Sequence, residues 1–422
     1  MALSAGYGSE HKTLSEVQVR ALLEQAFSKA ELTGKRLLVI IPDGTRTAPI
    51  AQLFRLLYEV VGGRVARLDY LIALGTHQPM SEEAITKLVG ASPLKRETRY
   101  PKSAVYNHRW DNPANFEHVG TLSSAQMRSL TGGLVSRETP ISLNRMIHDY
   151  DELLILGPVF PHEVAGFSGG AKYLFPGIAG REIIDSTHWL GALATSYDTI
   201  GVKDTAVRRV LHEGAKFVTE KMPVTCLKLV MQKSSLHGLF IGDYLTAWDA
   251  AADLSAKLNI IYKPRPFKRV LSMPSSRYDD LWTAAKAMYK TEPVIADGGE
   301  VIIYAPHLKE VSVTHGEEIE KIGYHVRDYF LGQWDRFKDM SWTVLAHSTH
   351  VRGAGTFRDG VETPRIAVTL ATGIPERVCK RINLGYCDPS KIDPQSWANR
   401  EAEGLLLVEN AGEMLYRLEG SS

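Results

Sequence analysis

A glycine-rich stretch at residues 161–180 constrains this chain more than any other part of its sequence. It reads Pro-His-Glu-Val-Ala-Gly-Phe-Ser-Gly-Gly-Ala-Lys-Tyr-Leu-Phe-Pro-Gly-Ile-Ala-Gly and contains five glycines and one lysine. Glycine loses the most conformational entropy on folding, so this density is typical of backbone that approaches a ligand closely or takes positive φ. An isolated Gly-Gly-x-Lys would be better interpreted as a turn with a solvated lysine.

The stretch does not match the phosphate-binding P-loop. That motif needs Gly, four residues, then Gly-Lys followed by Ser or Thr. Counted from Gly166, Ala171 precedes Lys172 and Tyr173 follows it. The glycine beside the lysine and the hydroxyl that would hold magnesium are both replaced, so the sequence disfavours phosphoryl transfer.

Composition is typical of a soluble enzyme with more than one domain. A chain of 422 residues exceeds what one hydrophobic core usually supports. The balance of 49 basic and 48 acidic side chains argues against nucleic acid or an anionic membrane as a partner. The sequence has no signal-peptide pattern and no apolar run of membrane-spanning length, so we expect a cytoplasmic protein. Its three cysteines form no Cys-x-x-Cys pair, which excludes a disulfide scaffold.

Apolar runs alternate with helical patterns along the chain, which predicts an α/β fold. Runs without polar alternation are typical of strands covered on both faces, so we expect mostly parallel sheets flanked by helices. Strands are predicted at 36–41, 68–74, 152–157, 225–232, 269–273, 301–305, 342–346 and 366–371. Helices are predicted at 14–31, 51–61, 81–89, 244–258, 279–289, 318–333 and 374–381.

Pro264 and Pro266 predict a domain boundary with extended geometry. We therefore predict an N-terminal α/β domain at 1–262 and a C-terminal α/β domain at 263–400. The terminal segment 401–422 is predicted to pack back on the first domain.

Polar clusters follow several apolar runs, and ligands gather at the carboxyl ends of parallel strands. We expect these strand ends to converge on an active site in the cleft between the domains. The clusters contain Asp43 and Arg46, His77, His162 and Lys172, Lys286, and the run His347–Gly353. Taken alone, each has a structural interpretation: an Asp-capped turn, a polar residue before a helix, or a solvated helix face.

Over its full length, the glycine-rich stretch resembles the nickel-dependent lactate racemase family. That family carries a His-x-x-Ala-Gly-Phe-Ser-Gly-Gly-x-Lys…Pro-Gly-Ile-x-Gly run, with a catalytic histidine and a lysine joined covalently to a nickel-pincer nucleotide. A second histidine sixteen residues beyond the lysine coordinates nickel. The matching positions are His162, Lys172 and His188.

Other parts of the family pattern recur in the same order. The family has Asp-x-Thr-Arg after its first strand, a catalytic histidine after the next strand, and a substrate-binding lysine on a helix of the second domain. The matching residues here are Asp43 with Arg46, His77 and Lys286. A Tyr-Gln pair of the best-known family pattern is replaced by Trp282 and Thr283. This puts lactate itself in doubt and leaves malate, 2-hydroxyglutarate, an aryl-lactate or an aldonate open as the substrate.

The resemblance implies a racemase or epimerase acting at C2 of a small-molecule 2-hydroxy acid. Removing a proton beside the carboxylate would create an unstable dianion, whereas removing hydride gives a planar 2-keto acid that accepts hydride on either face. The implied cofactor is nickel pyridinium-3,5-bisthiocarboxylic acid mononucleotide, made by the family's cofactor-synthesis enzymes. Lys172 would tether it, His188 would bind the nickel, and Asp43, Gly169 and Gly170 would contact it.

The same resemblance implies roles for the remaining site residues. His77 and His162 would be the two catalytic bases, since the imidazole pKa of about 6.5 suits proton transfer near neutral pH. Arg46 and Lys286 would hold the substrate carboxylate, beside Trp282 and Thr283.

Several alternatives stay open. His347, His350 and Arg352 could form a second anion- or hydroxyl-binding subsite, or simply a basic surface loop. A metal-dependent hydrolase would use His77, His162, His188 and Asp43 as ligands, although no HExxH motif supports it. A carrier that binds nickel or the nucleotide without catalysis would need neither the two bases nor the two cationic anchors.

Overall fold

The computed structural model describes residues 3–420, which fold into two compact units. Residues up to Phe160 form the first unit together with Phe167–Ile184 and Arg208–Leu258. The second unit contains the remaining segments, which are Pro161–Gly166, Asp185–Val207 and the chain from Asn259 onward. No helix within 3–420 is long and apolar enough to cross a membrane.

The first unit is built on a seven-stranded, mostly parallel sheet. Its strands, in sheet order, are Leu3–Gly8, Ser235–Gly242, Val224–Gln232, Glu152–Pro158, Arg36–Ile41, Arg67–Ile72 and Val105–Asn107. Ser235–Gly242 pairs antiparallel with both of its neighbours, Leu3–Gly8 and Val224–Gln232. All other neighbouring strands of this sheet pair in parallel. All residues from Leu37 to Ile41 are fully buried, so this central strand is covered on both faces, as its unbroken apolar sequence predicts.

Helices and a hairpin complete the first unit. The helices that lie in it wholly or mainly are Glu16–Phe27, Ile50–Val61, Glu82–Val89, Pro93–Arg99, Ser124–Leu130, Ala206–Thr219 and Thr246–Asn259. Outside the main sheet, Phe116–Leu122 and Thr139–Asn144 pair as an antiparallel hairpin. Helix Arg181–Ala194 begins in the first unit and continues into the second.

The second unit is built on a five-stranded parallel sheet. Its strands, in sheet order, are Gly385–Tyr386, Ala367–Thr372, Ile295–Ala305, Phe267–Pro274 and Leu405–Ala411. The terminal segment, expected on the first domain, pairs instead within the second unit. There Leu405–Ala411 continues the sheet and Leu415–Leu418 pairs with Ile260–Lys263.

The described helices of the second unit are shorter than the periodicity predicts. Beyond the end of Arg181–Ala194 they are Ser196–Thr199, Leu281–Ala284, Lys286–Tyr289, Gly316–Ile322, Arg327–Leu331, Trp334–Phe337, Trp342–Arg352 and Glu376–Arg381. The helices predicted at 279–289 and 318–333 are each broken into two. A second antiparallel hairpin joins Gly355–Arg358 to Val361–Pro364.

The predicted strand at 342–346 was wrong, because these residues open the helix Trp342–Arg352. Ser341 caps this helix by accepting a hydrogen bond from the Val344 N–H. A short apolar run does not distinguish a strand from a buried helix. The correction places His347 and His350 on one helix, three residues apart and so on one face.

Candidate functional site

A carboxylate and an imidazole meet at the end of two neighbouring strands of the first unit. Oδ2 of Asp43 lies 2.6 Å from Nδ1 of His77, and Oδ1 of Asp43 accepts hydrogen bonds from the Thr45 hydroxyl and N–H. Asp43 is buried, whereas the His77 side chain is about one-third exposed. The carboxylate therefore holds the ring by one nitrogen and leaves the other edge for a ligand.

Electrostatics keep Asp43 ionised in this position. Burial raises the pKa of its carboxyl, but the charge and hydrogen bond of His77, the Thr45 hydroxyl and the charge of Arg46 outweigh burial and lower the pKa well below its ordinary value. Arg46 therefore acts on the same carboxylate. Asp43, Arg46 and His77, three residues that the sequence singled out, form one charged group.

The His77 loop is fixed from two sides. The Trp110 indole N–H donates to the His77 carbonyl oxygen at 2.7 Å. The Gly75 N–H donates to the Gly177 carbonyl oxygen at 3.0 Å, which ties this loop to the glycine-rich stretch. The structure thus brings the Asp43–His77 pair and the stretch that carries Lys172 together in one unit.

Side chains beneath the glycine-rich stretch hold its carbonyl groups. The Arg208 guanidinium donates to the carbonyl oxygens of Phe167 and Gly169, the second at 3.2 Å. The Trp248 indole N–H donates to the Ser168 carbonyl at 2.9 Å, and Arg208 lies 4.2 Å from the centre of the Trp248 ring. Arg208 is fully buried, and burial lowers its pKa to about 9. Neither Arg208 nor Trp248 was predicted as a site residue, since each lies in an ordinary helical pattern.

Lys172 lies in the short 3₁₀ helix Gly170–Tyr173 that ends this loop. Gly169 and Gly170 precede it with φ of 81° and 60°, values that favour glycine. The next residue, Tyr173, is buried with its ring 4.6 Å from the ammonium of Lys228. Lys172 itself is half-buried. The backbone that precedes Lys172 is therefore held in place by Arg208 and Trp248.

In the second unit, His162 is oriented by its own loop. The Val164 N–H donates to Nδ1 of His162 at 3.1 Å, and the Glu163 carboxylate lies 3.3 Å from the same atom. Both contacts are made to Nδ1, so they orient the ring with Nε2 turned away from this loop. His162 is buried.

His188 lies in the helix Arg181–Ala194, and His350 lies near it. Burial lowers the pKa of His350 to about 4, while Glu163 raises it and His188 lowers it further. These electrostatic effects place Glu163, His188 and His350 in one neighbourhood of the second unit. Sequence reasoning singled out His188 and His350 and missed Glu163, which stands beside the predicted His162.

Lys286 and the Trp282-Thr283 pair lie on a tight double turn. The Lys286 ammonium donates to the Thr283 carbonyl at 3.0 Å and lies 4.9 Å from the centre of the Tyr278 ring. The Asp280 carboxylate caps this turn by accepting from the Thr283 N–H and hydroxyl. Lys286 is buried, so the expectation of a solvated helix residue does not apply.

The Trp282 ring contacts two histidines. It stacks on His347 with ring centres 3.9 Å apart, and it lies 4.5 Å from the His315 ring. His347 is buried in the helix Trp342–Arg352, so it belongs to no basic surface loop. Arg352, grouped with His347 in the sequence, lies 4.0 Å from Glu362.

The predicted site residues fall into two groups. The first unit carries Asp43, Arg46, His77, Gly169, Gly170 and Lys172, and the second carries His162, His188, Trp282, Thr283 and Lys286. Within 3–420, no group of three or more His, Cys, Asp or Glu side chains is arranged to hold a metal ion.

Comparison with known proteins identifies sequences similar to this chain. The profile of the lactate racemase N-terminal domain matches residues 8–201. The lactate racemase of Thermoanaerobacterium thermosaccharolyticum is 25% identical over 290 residues, which are 67% of this chain and 62% of that protein. The lactate racemase of Lactiplantibacillus plantarum is 25% identical over 310 residues, covering 70% of this chain and 67% of that protein.

Two solved structures share the fold. A crystal structure of a Thermotoga maritima protein is 32% identical, with a TM-score of 0.90 over 98% of this chain and 100% of that one. The lactate racemase apoprotein from Thermoanaerobacterium thermosaccharolyticum is 19% identical, with a TM-score of 0.68 over 96% of this chain and 93% of that one. The second likeness is one of fold alone, and it agrees with the predicted α/β class.

Proposed function

We propose that this chain, whose residues 8–201 match the lactate racemase N-terminal domain, is a racemase or epimerase that inverts the C2 centre of a 2-hydroxy acid. The observation that carries the proposal is the Asp43–His77 pair, tied to the lysine-bearing glycine-rich stretch through Gly75 and Gly177. An imidazole held by a buried carboxylate is a recurrent form of general base.

The family's nickel-pincer nucleotide fits the donors that this chain offers. Imidazole suits nickel, and the lack of a complete protein metal site within the described residues agrees with a cofactor that brings ligands of its own. Lys172 would hold it covalently and His188 would ligate the nickel, with Asp43, Gly169 and Gly170 in contact. When bound, the cofactor would supply a reversible acceptor for the hydride at C2 of the substrate.

The residues of the chain would handle protons and charge. His77 has Nδ1 on Asp43, and His162 has Nδ1 on the Val164 N–H. Each ring would therefore use Nε2 toward the substrate, taking the C2 hydroxyl proton on one side and returning a proton on the other. Arg46 and Lys286 would bind the substrate carboxylate, the first as a planar fork and the second as a point charge.

The substrate is proposed to differ from lactate. Trp282 and Thr283 stand where the best-known family pattern has Tyr and Gln. The Trp282 ring packs on His347 and His315, and the Thr283 hydroxyl binds Asp280. Neither residue reproduces the lost phenol or amide.

The decisive experiment is the intact mass and nickel content of the protein co-expressed with the family's cofactor-synthesis enzymes. We expect a nucleotide-sized mass increase that is absent from Lys172→Ala and present in the control Lys87→Ala, an exposed lysine. His77→Asn and His162→Asn should keep the added mass and lose racemisation measured by chiral chromatography.

Two results would overturn the proposal. An unmodified mass despite a supply of cofactor would remove the tether and reopen the metal-hydrolase alternative. A protein that gains the cofactor mass but inverts no acid in a broad panel would instead be a carrier without catalytic activity.

A further inference from the structure

The tautomer of His347 is determined by its contact with Trp282. Nε2 of His347 lies 3.1 Å from the Trp282 carbonyl oxygen, and the two rings stack at an interplanar angle of 10°. A carbonyl oxygen only accepts hydrogen bonds, so Nε2 carries the proton. Burial lowers the pKa of His347 well below its ordinary value; the Trp282 carbonyl opposes this, while His350, His315 and Lys286 add to it. The ring is therefore neutral, and Nδ1 presents a bare lone pair.

That lone pair has no hydrogen-bond donor in the described structure. His347 is 9% exposed and its Nδ1 is buried without a partner. The hydroxyl of Tyr324 is also buried without a partner, although its ring centre lies 5.8 Å from that of His347. Burial raises the pKa of the Tyr324 hydroxyl, and the charge of Asp280 raises it further. The Asp280 carboxylate already accepts hydrogen bonds from the N–H groups of Thr283 and Val313.

Such a cluster is costly unless something fills it. Each buried polar group left unpaired costs about 1–3 kcal/mol, and native proteins pair the large majority of them. Nε2 of His350, three residues along the helix, is a third unpaired atom. His347 stacks on Trp282 of the turn that carries Lys286, and the charge of Lys286 acts on its ring. The cluster thus adjoins the residue proposed to hold the substrate carboxylate.

The chemistry of the cluster selects its occupant. A second carboxylate only accepts hydrogen bonds, so at Nδ1 of His347 it would set lone pair against lone pair. The methyl group of lactate would leave both His347 and Tyr324 unpaired. A hydroxyl group donates to Nδ1 and can accept from the Tyr324 hydroxyl.

We propose that His347 and Tyr324 bind a hydroxyl group of the substrate beyond C2, so that the substrate is a polyhydroxylated 2-hydroxy acid of the sugar-acid class. With further stereocentres present, inversion at C2 is an epimerisation. Trp282 acts as a positioning residue, since its carbonyl and ring hold His347. This inference rests on the proposed function, because it takes Lys286 as the carboxylate anchor.

The test compares 2,3-dihydroxypropanoate and a six-carbon aldonate with lactate and malate. For the loaded enzyme, we expect kcat/KM to be at least about a hundredfold higher for the aldonate than for lactate or malate, since a site built for hydroxyls strongly rejects analogues that lack them. His347→Phe keeps the stack without the acceptor, and Tyr324→Phe removes only the hydroxyl. Each should lower the aldonate-to-lactate ratio about tenfold to a hundredfold, whereas the matched control Tyr329→Phe should not.

Calorimetric titration of the protein without cofactor separates this inference from the proposed function. Tighter binding of the aldonate than of lactate, weakened by His347→Phe and Tyr324→Phe, would support the hydroxyl site even if no acid were inverted. Lactate or malate preferred by the wild type would overturn it, as would unchanged selectivity in both variants. So would a crystal structure with bound aldonate in which only a water molecule meets Nδ1 of His347.

Discussion

Nδ1 of His77 lies 2.6 Å from Oδ2 of Asp43, and this contact joins the ends of two neighbouring parallel strands. The strand Arg36–Ile41 pairs in register with Arg67–Ile72, so the residues that follow them emerge at the same edge of the sheet. The buried carboxylate fixes the orientation of the imidazole and, by binding Nδ1, its tautomer.

Asp43→Asn should lower kcat on the order of a hundredfold to ten thousandfold, because the amide can hold the His77 ring in the wrong tautomer. The measurement is steady-state racemisation at several pH values. Intact mass serves as the internal check, since the Lys172 adduct should persist. Wild-type turnover in this variant would show that His77 does not depend on Asp43.

Arg208→Lys should loosen the glycine-rich stretch. A lysine ammonium lacks the planar fork that reaches the carbonyls of Phe167 and Gly169. We expect a loss of about 1–3 kcal/mol in the free energy of unfolding and a severalfold drop in Lys172 loading. Urea denaturation and intact mass measure the two effects, with the exposed Arg128→Lys as control. Full stability with full loading would contradict the anchoring role.

Lys228→Met should stabilise the protein below pH 8. The Lys228 amine is fully buried without a hydrogen-bond partner in the described structure. Burial lowers its pKa from 10.5 to about 8, with Arg208 also lowering it and Cys226 opposing. A shift of this size corresponds to about 3 kcal/mol of destabilisation while the amine is charged in both states.

The pH dependence of the Lys228 effect has a definite sign. Between pH 8 and pH 10.5 the folded protein loses the proton while the unfolded chain keeps it, so wild-type stability rises relative to Lys228→Met. Urea unfolding of both proteins from pH 6 to pH 10.5 should show the gap closing across this window. A gap that is constant or that widens with pH would refute the assignment.

Gly157→Ala should displace the residue that follows Lys172. A Cβ atom at Gly157 would lie 1.7 Å from the Tyr173 hydroxyl oxygen, a distance that requires movement. Overpacking of this kind costs about 1–3 kcal/mol. Gly157→Ala with Tyr173→Leu should recover much of that loss, and Gly63→Ala, which has open space around it, should be near neutral. Thermal melts of the wild type, Gly157→Ala, Tyr173→Leu and the double variant give the coupling, and strictly additive effects would argue against the contact.

The sequence predicted strand ends better than it predicted contacts. The strands at 36–41, 152–157 and 225–232 lie where the apolar runs place them, within one residue. The run at 342–346 was misassigned because a run of a few buried residues is too short to show a period that separates strand from helix. That error hid the face shared by His347 and His350.

Local pattern was sufficient for the class of fold and for the residues worth examining. Unbroken apolar strands alternating with amphipathic helices specify parallel α/β sheets, since burial of both faces can be read from neighbouring residues. The spacing from His162 through Lys172 to His188 is likewise contained in a continuous stretch of sequence.

Only the tertiary structure decided which side chains meet. The contact of Asp43 with His77, the support of the glycine-rich stretch by Arg208 and the stacking of His347 on Trp282 join residues 34, 39 and 65 positions apart. Folding also places 161–166 and 185–207 with the second unit. Such pairings depend on strand order and helix packing, which no local sequence pattern contains. The contacts between the side chains of this site can therefore be identified only in the folded chain.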